Sequence, residues 1–225
     1  MIRHILFFIL ITVFTVSCAS RNAIQQPSLS YDLNTQQNKV VEGGIEMMAK
    51  PIHSSAELTS YYDEDTIKYG VLPVQVYVFN KSSQSYLLNL DGVNLIDGTG
   101  ARVPLLSVEQ TYERIKKSQW RSAGWAVATG VFAAFSIHNV AEVNKQIKAD
   151  IASRYLKSGN LSAGSATEGT LFYNVPPEIS SVDNWKLSLV LHDSEGKPVV
   201  TTYAFSGNIE QRTAPKEENK PQDEQ

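Results

Sequence analysis

Trp185-Lys186-Leu187-Ser188-Leu189-Val190-Leu191-His192 sets its large apolar residues two apart, at Trp185, Leu187, Leu189 and Leu191. A period of two puts all four on one face of a strand, with the residues between them on the other. Asp193-Ser194-Glu195-Gly196 then supplies turn residues, and Val199 to Phe205 runs back as a second strand. This hairpin sets the class of the fold, and the same reading extends outward in both directions. Val74, Val76 and Val78 alternate with Gln75, Tyr77 and Phe79 in another strand, which Pro73 confines to a start or an edge because it lacks an amide proton. Val40 to Ile52 reads as a first strand with a bulge at Gly43-Gly44, and Ser60 to Tyr69 as a short helix with Asp63, Glu64 and Asp65 in its first turn. Tyr86 to Ile96 holds two short strands, or one bulged strand, around Asp91-Gly92. Asp97-Gly98-Thr99-Gly100 turns the chain into a strand over Arg102 to Leu106, and Thr170 to Val175 is a strand that ends at Pro176-Pro177. Roughly seven short strands with frequent turn signals argue for a β-sandwich.

Several of these residues carry a resemblance. Val78-Phe79-Asn80-Lys81-Ser82, Tyr86-Leu87-Leu88, Gly159-Asn160-Leu161 and Gly169-Thr170-Leu171-Phe172 running to Pro176 resemble the immunoglobulin-like (telokin-like) domains of bacterial surface lipoproteins. The resemblance covers Lys39 to Gln211 apart from one insert. It implies a binding or assembly module and transfers no site residues. The expected fold is therefore mainly β, an immunoglobulin-like sandwich over 39–210 carrying an inserted helical hairpin over 107–157.

The insert has its own pattern. Ser107 to Lys157 contains no proline, and Val140, Val143, Ile147, Ile151 and Tyr155 form a helical stripe in its later half. Val108, Tyr112 and Ile115 form a weaker stripe at its start, and Gly159 stands as a stop signal. Ser122 to Ala141 holds no Asp, Glu, Lys or Arg, and Ala126, Gly130 and Ala134 fall four apart. A straight helix of this length would carry the chain about 75 Å away. A lone membrane span would put the flanking strands on opposite sides of the bilayer. The insert must therefore turn back, at Gly130 or at Ser136 to Asn139, which places Trp125, Val127, Val131, Phe132 and Phe135 at or near the tip. Three fates compete for it: packing on its own domain, contact with a partner or a second copy through Trp125, Ala126, Gly130, Phe132, Ala134 and Phe135, and dipping into a membrane.

The first residues give an address. Arg3 and His4 precede an apolar run from Ile5 to Val16, and Thr15-Val16-Ser17-Cys18 resembles a lipobox. On that reading 1–17 is a signal peptide, the Cys18 thiol takes a diacylglycerol, and 18–38, rich in Gln, Asn and Ser, is a flexible tether with a reach of about 25 Å. Thr15 stands where leucine is commoner. Ala19, in place of a retaining aspartate, favours the outer membrane with the domain in the periplasm. The charged segment 211–225 reads as a disordered tail.

Composition narrows the chemistry. Cys18 is the only cysteine, so the chain can form no internal disulfide. Net charge is −3 and Lys116-Lys117 is the only adjacent basic pair, so nucleic acid is not an expected partner. Asn80-Lys81-Ser82 and Asn160-Leu161-Ser162 match glycosylation sequons, which carry no weight behind a bacterial lipobox. His4, His53, His138 and His192 have no metal-ligand spacing, and no cofactor is expected. Asp63, Glu64 and Asp65 could act as acids on a glycan, but an exposed helix start is the plainer reading. The expected role is a non-enzymatic assembly or accessory subunit of a cell-envelope complex. A cell-wall or glycan enzyme, or a carrier of small apolar ligands held between hairpin and sandwich, stands as the alternative.

Overall fold

A computed structural model describes residues 39–62, 65–116 and 133–209, with the backbone alone for 133–140 and 143. The described chain is mainly β, and all of its strand ladders are antiparallel. One sheet takes β1 (Val40–Glu42), β2 (Ile45–Pro51), β3 (Val71–Asn80), β9 (Ala166–Asn174) and β7 (Leu105–Leu106), in that order. The other centres on β10 (Lys186–His192), with β11 (Pro198–Ala204) along one edge. The other edge of β10 is shared by β4 (Tyr86–Leu88) and β5 (Asn94–Ile96), which lead on to β8 (Gly159–Leu161) and β6 (Arg102–Val103). Val74, Val76 and Val78 of the first sheet and Leu187, Leu189 and Leu191 of the second are fully buried in one common core.

The hairpin from β10 to β11 forms as its pattern requires, and its turn has a twin. Asp193 Oδ1 accepts from the backbone N–H groups of Glu195 (2.9 Å) and Lys197 (2.8 Å), and Gly196 adopts φ +80°. Asp97 Oδ1 accepts from Thr99 N–H (2.8 Å) and Ala101 N–H (2.9 Å), and Gly100 adopts φ +90°. Both are Asp-x-x-Gly turns in which the carboxylate organises the loop and glycine takes the left-handed position.

Four expectations about the strands need correction. Gly43-Gly44 is a turn between two strands, not a bulge within one: both glycines have positive φ, and Glu42 pairs directly with Ile45. Arg102 to Leu106 splits at Pro104, so that Val103 pairs with Leu95 in one sheet and Leu105 with Tyr173 in the other. Proline cannot continue a ladder as a donor, and its carbonyl instead accepts from Asn174 N–H (2.9 Å). Pro73 lies inside the central strand β3, one residue past the last β2 pair, Pro51 with Val74. Its carbonyl accepts from Ile52 N–H (2.9 Å), so its missing amide falls where the β2 ladder has already ended. The strand expected over Thr170 to Val175 starts earlier, at Ala166, because β3 supplies an edge along that whole length.

The helices also shift. α1 spans Ser55–Tyr62 and buries Leu58 and Tyr62, four residues apart. A 3-10 turn over Thr66–Tyr69 follows and ends at Gly70, at φ +73°. The helix expected over Ser60 to Tyr69 is therefore two elements. Within the insert, α2 (Val108–Ile115) opens on a capping box: Gln110 N–H donates to Ser107 Oγ (3.2 Å) and Ser107 N–H to Gln110 Oε1 (2.9 Å). α3 spans Ala133–Arg154. It stops short of Gly159, which opens β8 instead, because Leu156 N–H turns to donate to Thr170 O (3.1 Å).

Candidate functional site

The outer face of the first sheet carries the two insert helices. Along β3 and β9 this face presents Val71, Pro73 and Gln75 beside Asn174, Phe172 and Thr170. Phe172 is fully buried there, edge-on to Tyr62 of α1 (5.8 Å between ring centroids) and stacked with Tyr155 just after α3 (6.2 Å). Tyr155 donates from its hydroxyl to Leu106 O (2.8 Å), and Arg154 donates to Tyr61 O (3.0 Å) with its guanidinium over the Tyr62 ring. Burial pushes the Tyr62 hydroxyl up to about 12, so it stays a neutral phenol. Ile147 and Ile151 of α3 and Thr111 and Ile115 of α2 are buried, and Val108, Tyr112 and Tyr155 pack against the core. The two helices are joined by an ion pair between Lys148 and Glu109, whose hydrogen bond holds the Lys148 ammonium above its ordinary range. The bases of both expected stripes thus pack on the domain.

Most of the proposed contact residues are not among the described residues. Cys18, Trp125, Ala126, Gly130, Phe132, Asp63 and Glu64 fall outside the described residues, as do Val127 and Val131. Ala134, Phe135 and His138 lie on the backbone of α3, whose stripe residues Val140 and Val143 are likewise placed by backbone alone. Asp65 belongs to the turn after α1, not to the first turn of a helix. It is 5% exposed and accepts from Ser55 Oγ (3.0 Å), which ties the start of α1 to that turn. His53 and His192 are half-buried at separate places, one after β2 and one at the end of β10. Among the described residues, no group of three or more His, Cys, Asp or Glu side chains could hold a metal ion. No described helix is long and apolar enough to cross a membrane.

A cleft of about 500 Å³ opens where the chain changes sheets at Pro104. Val175, Ile179 and Trp185 supply apolar lining, and Arg102, Asn174 and Glu178 supply polar groups. Asp97 lies at the same cleft, but its carboxylate is committed to its turn. The Thr99 hydroxyl, then the backbone N–H groups of the loop, hold it below the usual carboxylate range. The cleft is not a cavity between hairpin and sheets of the kind an apolar-ligand carrier calls for, because no residue of α2 or α3 lines it. Sequence reading missed it because its residues come from three separated segments, in which Asp97, Arg102, Val175, Pro176 and Trp185 read only as turn or strand residues.

Two of the stretches quoted for the resemblance, Val78 to Ser82 and Gly159 to Leu161, meet at Asn80. Asn80 is fully buried at the end of β3 and donates from Nδ2 to Gln84 O (2.6 Å) and Leu161 O (2.9 Å). Its Oδ1 accepts from Ser82 N–H (3.0 Å) and Ser82 Oγ (2.7 Å). The apparent sequon is thus a folding element in which Ser82 completes the hydrogen bonding of Asn80. Gly169 shows a second constraint: a Cβ there would lie 2.5 Å from Leu156 Cα, so the chain leaving α3 can cross β9 only over a glycine.

No protein-family model and no curated protein matches the sequence. Among solved structures, the chain is similar to the yjhA protein from Bacillus subtilis, at 15% identity and a TM-score of 0.35 over 68% of this chain and 77% of that one. It is also similar to a candidate lipoprotein (ycdA) from Bacillus subtilis subsp. subtilis str. 168, at 12% identity and a TM-score of 0.36 over 74% of this chain and 38% of that one. Likenesses of this strength assign neither a family nor an activity.

Proposed function

We propose that this is a lipid-anchored envelope protein, a non-enzymatic assembly or accessory subunit whose two sheets form an immunoglobulin-like sandwich and whose insert is its contact surface. The observation that carries the reading is Thr15-Val16-Ser17-Cys18 behind a short apolar run. It is supported by the way α2 and α3 pack at their bases, through Ile115, Ile147 and Ile151, and by the uncharged composition of Ser122 to Ala141. With the anchor at Cys18, Ala19 in place of a retaining aspartate favours the outer membrane, with the domain facing the periplasm. The alternative, a glycan-acting enzyme using Asp63, Glu64 and Asp65, gains nothing from Asp65, whose carboxylate is buried against Ser55.

Photocrosslinking in intact cells from Trp125 or Phe132 tests the contact surface. Adducts to one envelope protein, or to a second copy, are the expected result. They should weaken in Gly130→Leu and Ala134→Leu variants that keep the fold. Unchanged adducts in both variants, or adducts to lipid alone, would sink the reading of the insert.

A further inference from the structure

The cleft at Pro104 has fixed walls. Asn174 N–H donates to Pro104 O (2.9 Å), Val175 N–H to Gly70 O (3.0 Å), Ile179 N–H to Pro176 O (3.1 Å) and Ile209 N–H to Ser180 O (2.8 Å). Pro104 and Pro176 stiffen the rim further, since each ring fixes φ. Trp185 forms part of the floor. It is 8% exposed, and the Asp97 turn packs along it so closely that a Cβ on Gly98 would lie 4.0 Å from its Cδ1 and 3.0 Å from Asp183 O. Val175 and Ile179 extend the apolar lining.

The polar groups of the cleft divide in two. Asp97 and Ser181 are committed to the fold, Asp97 to its own turn and Ser181 by donation from Oγ to Asp183 Oδ2 (2.8 Å). Arg102 and Glu178 are not. Both are exposed, and among the described residues neither side chain makes an ion pair or a hydrogen bond, with the other or with a neighbour. Opposite charges that share a cleft without neutralising each other leave two recognition points, one for an anion and one for a cation.

We propose that this cleft binds a short zwitterionic peptide, with its carboxylate on Arg102, its ammonium on Glu178 and an apolar side chain against Trp185, Val175 and Ile179. Charge is the first support. A lone anion would also meet Glu178 and a lone cation Arg102, whereas a ligand of both signs satisfies the two, and the guanidinium fork matches a carboxylate. Composition and size are the second. An apolar floor with a few placed polar groups, in about 500 Å³, lies within the range of about 300–1,000 Å³ typical of small-ligand sites. Preorganisation is the third, because walls already tied by backbone hydrogen bonds lose little freedom when a ligand enters. None of these residues belongs to the insert, so this site is separate from the insert's contact surface.

The probe is the dipeptide alanyl-phenylalanine, compared with its C-terminal amide and its N-acetyl form, which each lack one charge. NMR spectra of the full chain follow backbone and indole N–H signals as each is added. The dipeptide should give saturable shifts at the Trp185 indole and the Ile179 amide. Each one-charge form should bind about fivefold or more weakly, because hydrogen bonds to charged groups carry much of a small ligand's affinity. Arg102→Gln should bind the dipeptide and its amide about equally while still discriminating against the N-acetyl form, and Glu178→Gln should do the reverse. Both side chains are exposed, so the variants keep the fold, which unchanged signals away from the cleft verify. Absence of saturable shifts at the cleft up to about 10 mM dipeptide would overturn the proposal. So would equal binding of the three forms, or discrimination that neither variant alters.

Discussion

Replacing Asn80 by alanine removes four hydrogen bonds at one buried point, two donated and two accepted. The loss is uneven. Ser82 and the Gln84 carbonyl lie near solvent and can recover water, so their bonds are worth about 0.5–1 kcal/mol each. The Leu161 carbonyl is bonded in a buried setting, and stranding it costs about 1–3 kcal/mol. The total comes to about 2.5–6 kcal/mol, or a fall in Tm of about 5–24 °C for a domain of this size. Urea unfolding followed by tryptophan fluorescence reads the change through the midpoint, with the slope m as the check on two-state behaviour. Asn80→Asp sharpens the test, because a carboxylate there would face two carbonyl oxygens that now receive N–H donors. Its folded-state pKa would rise above the unfolded value. The variant would therefore be least impaired at acid pH, where the carboxyl is protonated in both states, and would lose stability as pH rises through the folded pKa. A loss below about 0.5 kcal/mol for Asn80→Ala, or an Asn80→Asp deficit that does not grow with pH, would refute the assignment of Asn80 as the tie between the end of β3 and the strands β4 and β8.

Gly169→Ala should destabilise by about 2–3 kcal/mol, because its Cβ meets the Leu156 backbone, not a side chain that can swing aside; near-parent stability in the same urea experiment would show that the crossing segment can shift. Gly196→Ala meets open space and should cost only about 1 kcal/mol from its positive φ, with Gly196→Asn costing less, by thermal unfolding. Burial alone would push the Glu46 carboxyl up, but hydrogen bonds and charge from Lys81 and Lys39 outweigh it and hold it below 4.5. Glu46 should therefore stabilise the protein above that pH and lose the contribution as pH falls through its folded value, so the stability gap between parent and Glu46→Gln should close in acid. Lys148→Ala breaks an exposed ion pair to Glu109 and should change stability by less than about 1 kcal/mol; a larger loss would mean that the pair holds α2 against α3 more firmly than exposed charges do.

Period-two alternation made the strands around Val76 and Leu189 legible, because a sheet with one buried face imposes that pattern directly on its residues. The Asp-x-x-Gly turns were legible for a local reason too: the carboxylate bonds lie within five residues of chain. What stayed hidden depends on neighbours distant in sequence. Pro104 divides two strands between two sheets, which only the positions of Leu95 and Tyr173 explain. Gly43-Gly44 reads equally as a bulge or a turn until the partner of Glu42 is known. Gly159 resembled a helix stop, yet the hydrogen bond from Leu156 to Thr170 across β9 ends the path of α3 earlier. Ser107 with Gln110 was a readable capping signal for α2 that the apolar count alone passed over. For the site, the helical stripe correctly placed Ile147 and Ile151 inward. It says nothing of the cleft at Pro104, which is assembled from three segments.

The two halves of the first sheet's outer face share one sequence logic. Along β3, every second residue from Val71 to Phe79 points outward, and all five are apolar or aromatic except Gln75. A strand exposed to water on that side would carry polar residues there. At Val71 and Pro73 the apolar choice is explained by Tyr62, Tyr155 and the insert helices. Tyr77 and Phe79 continue the pattern, with Lys81 over the Phe79 ring and Lys39 and Lys81 both paired with the neighbouring Glu46. The outward alternation of β3 is thus set at one end by the aromatic packing around Phe172 and runs at the other into the lysine and glutamate groups around Phe79.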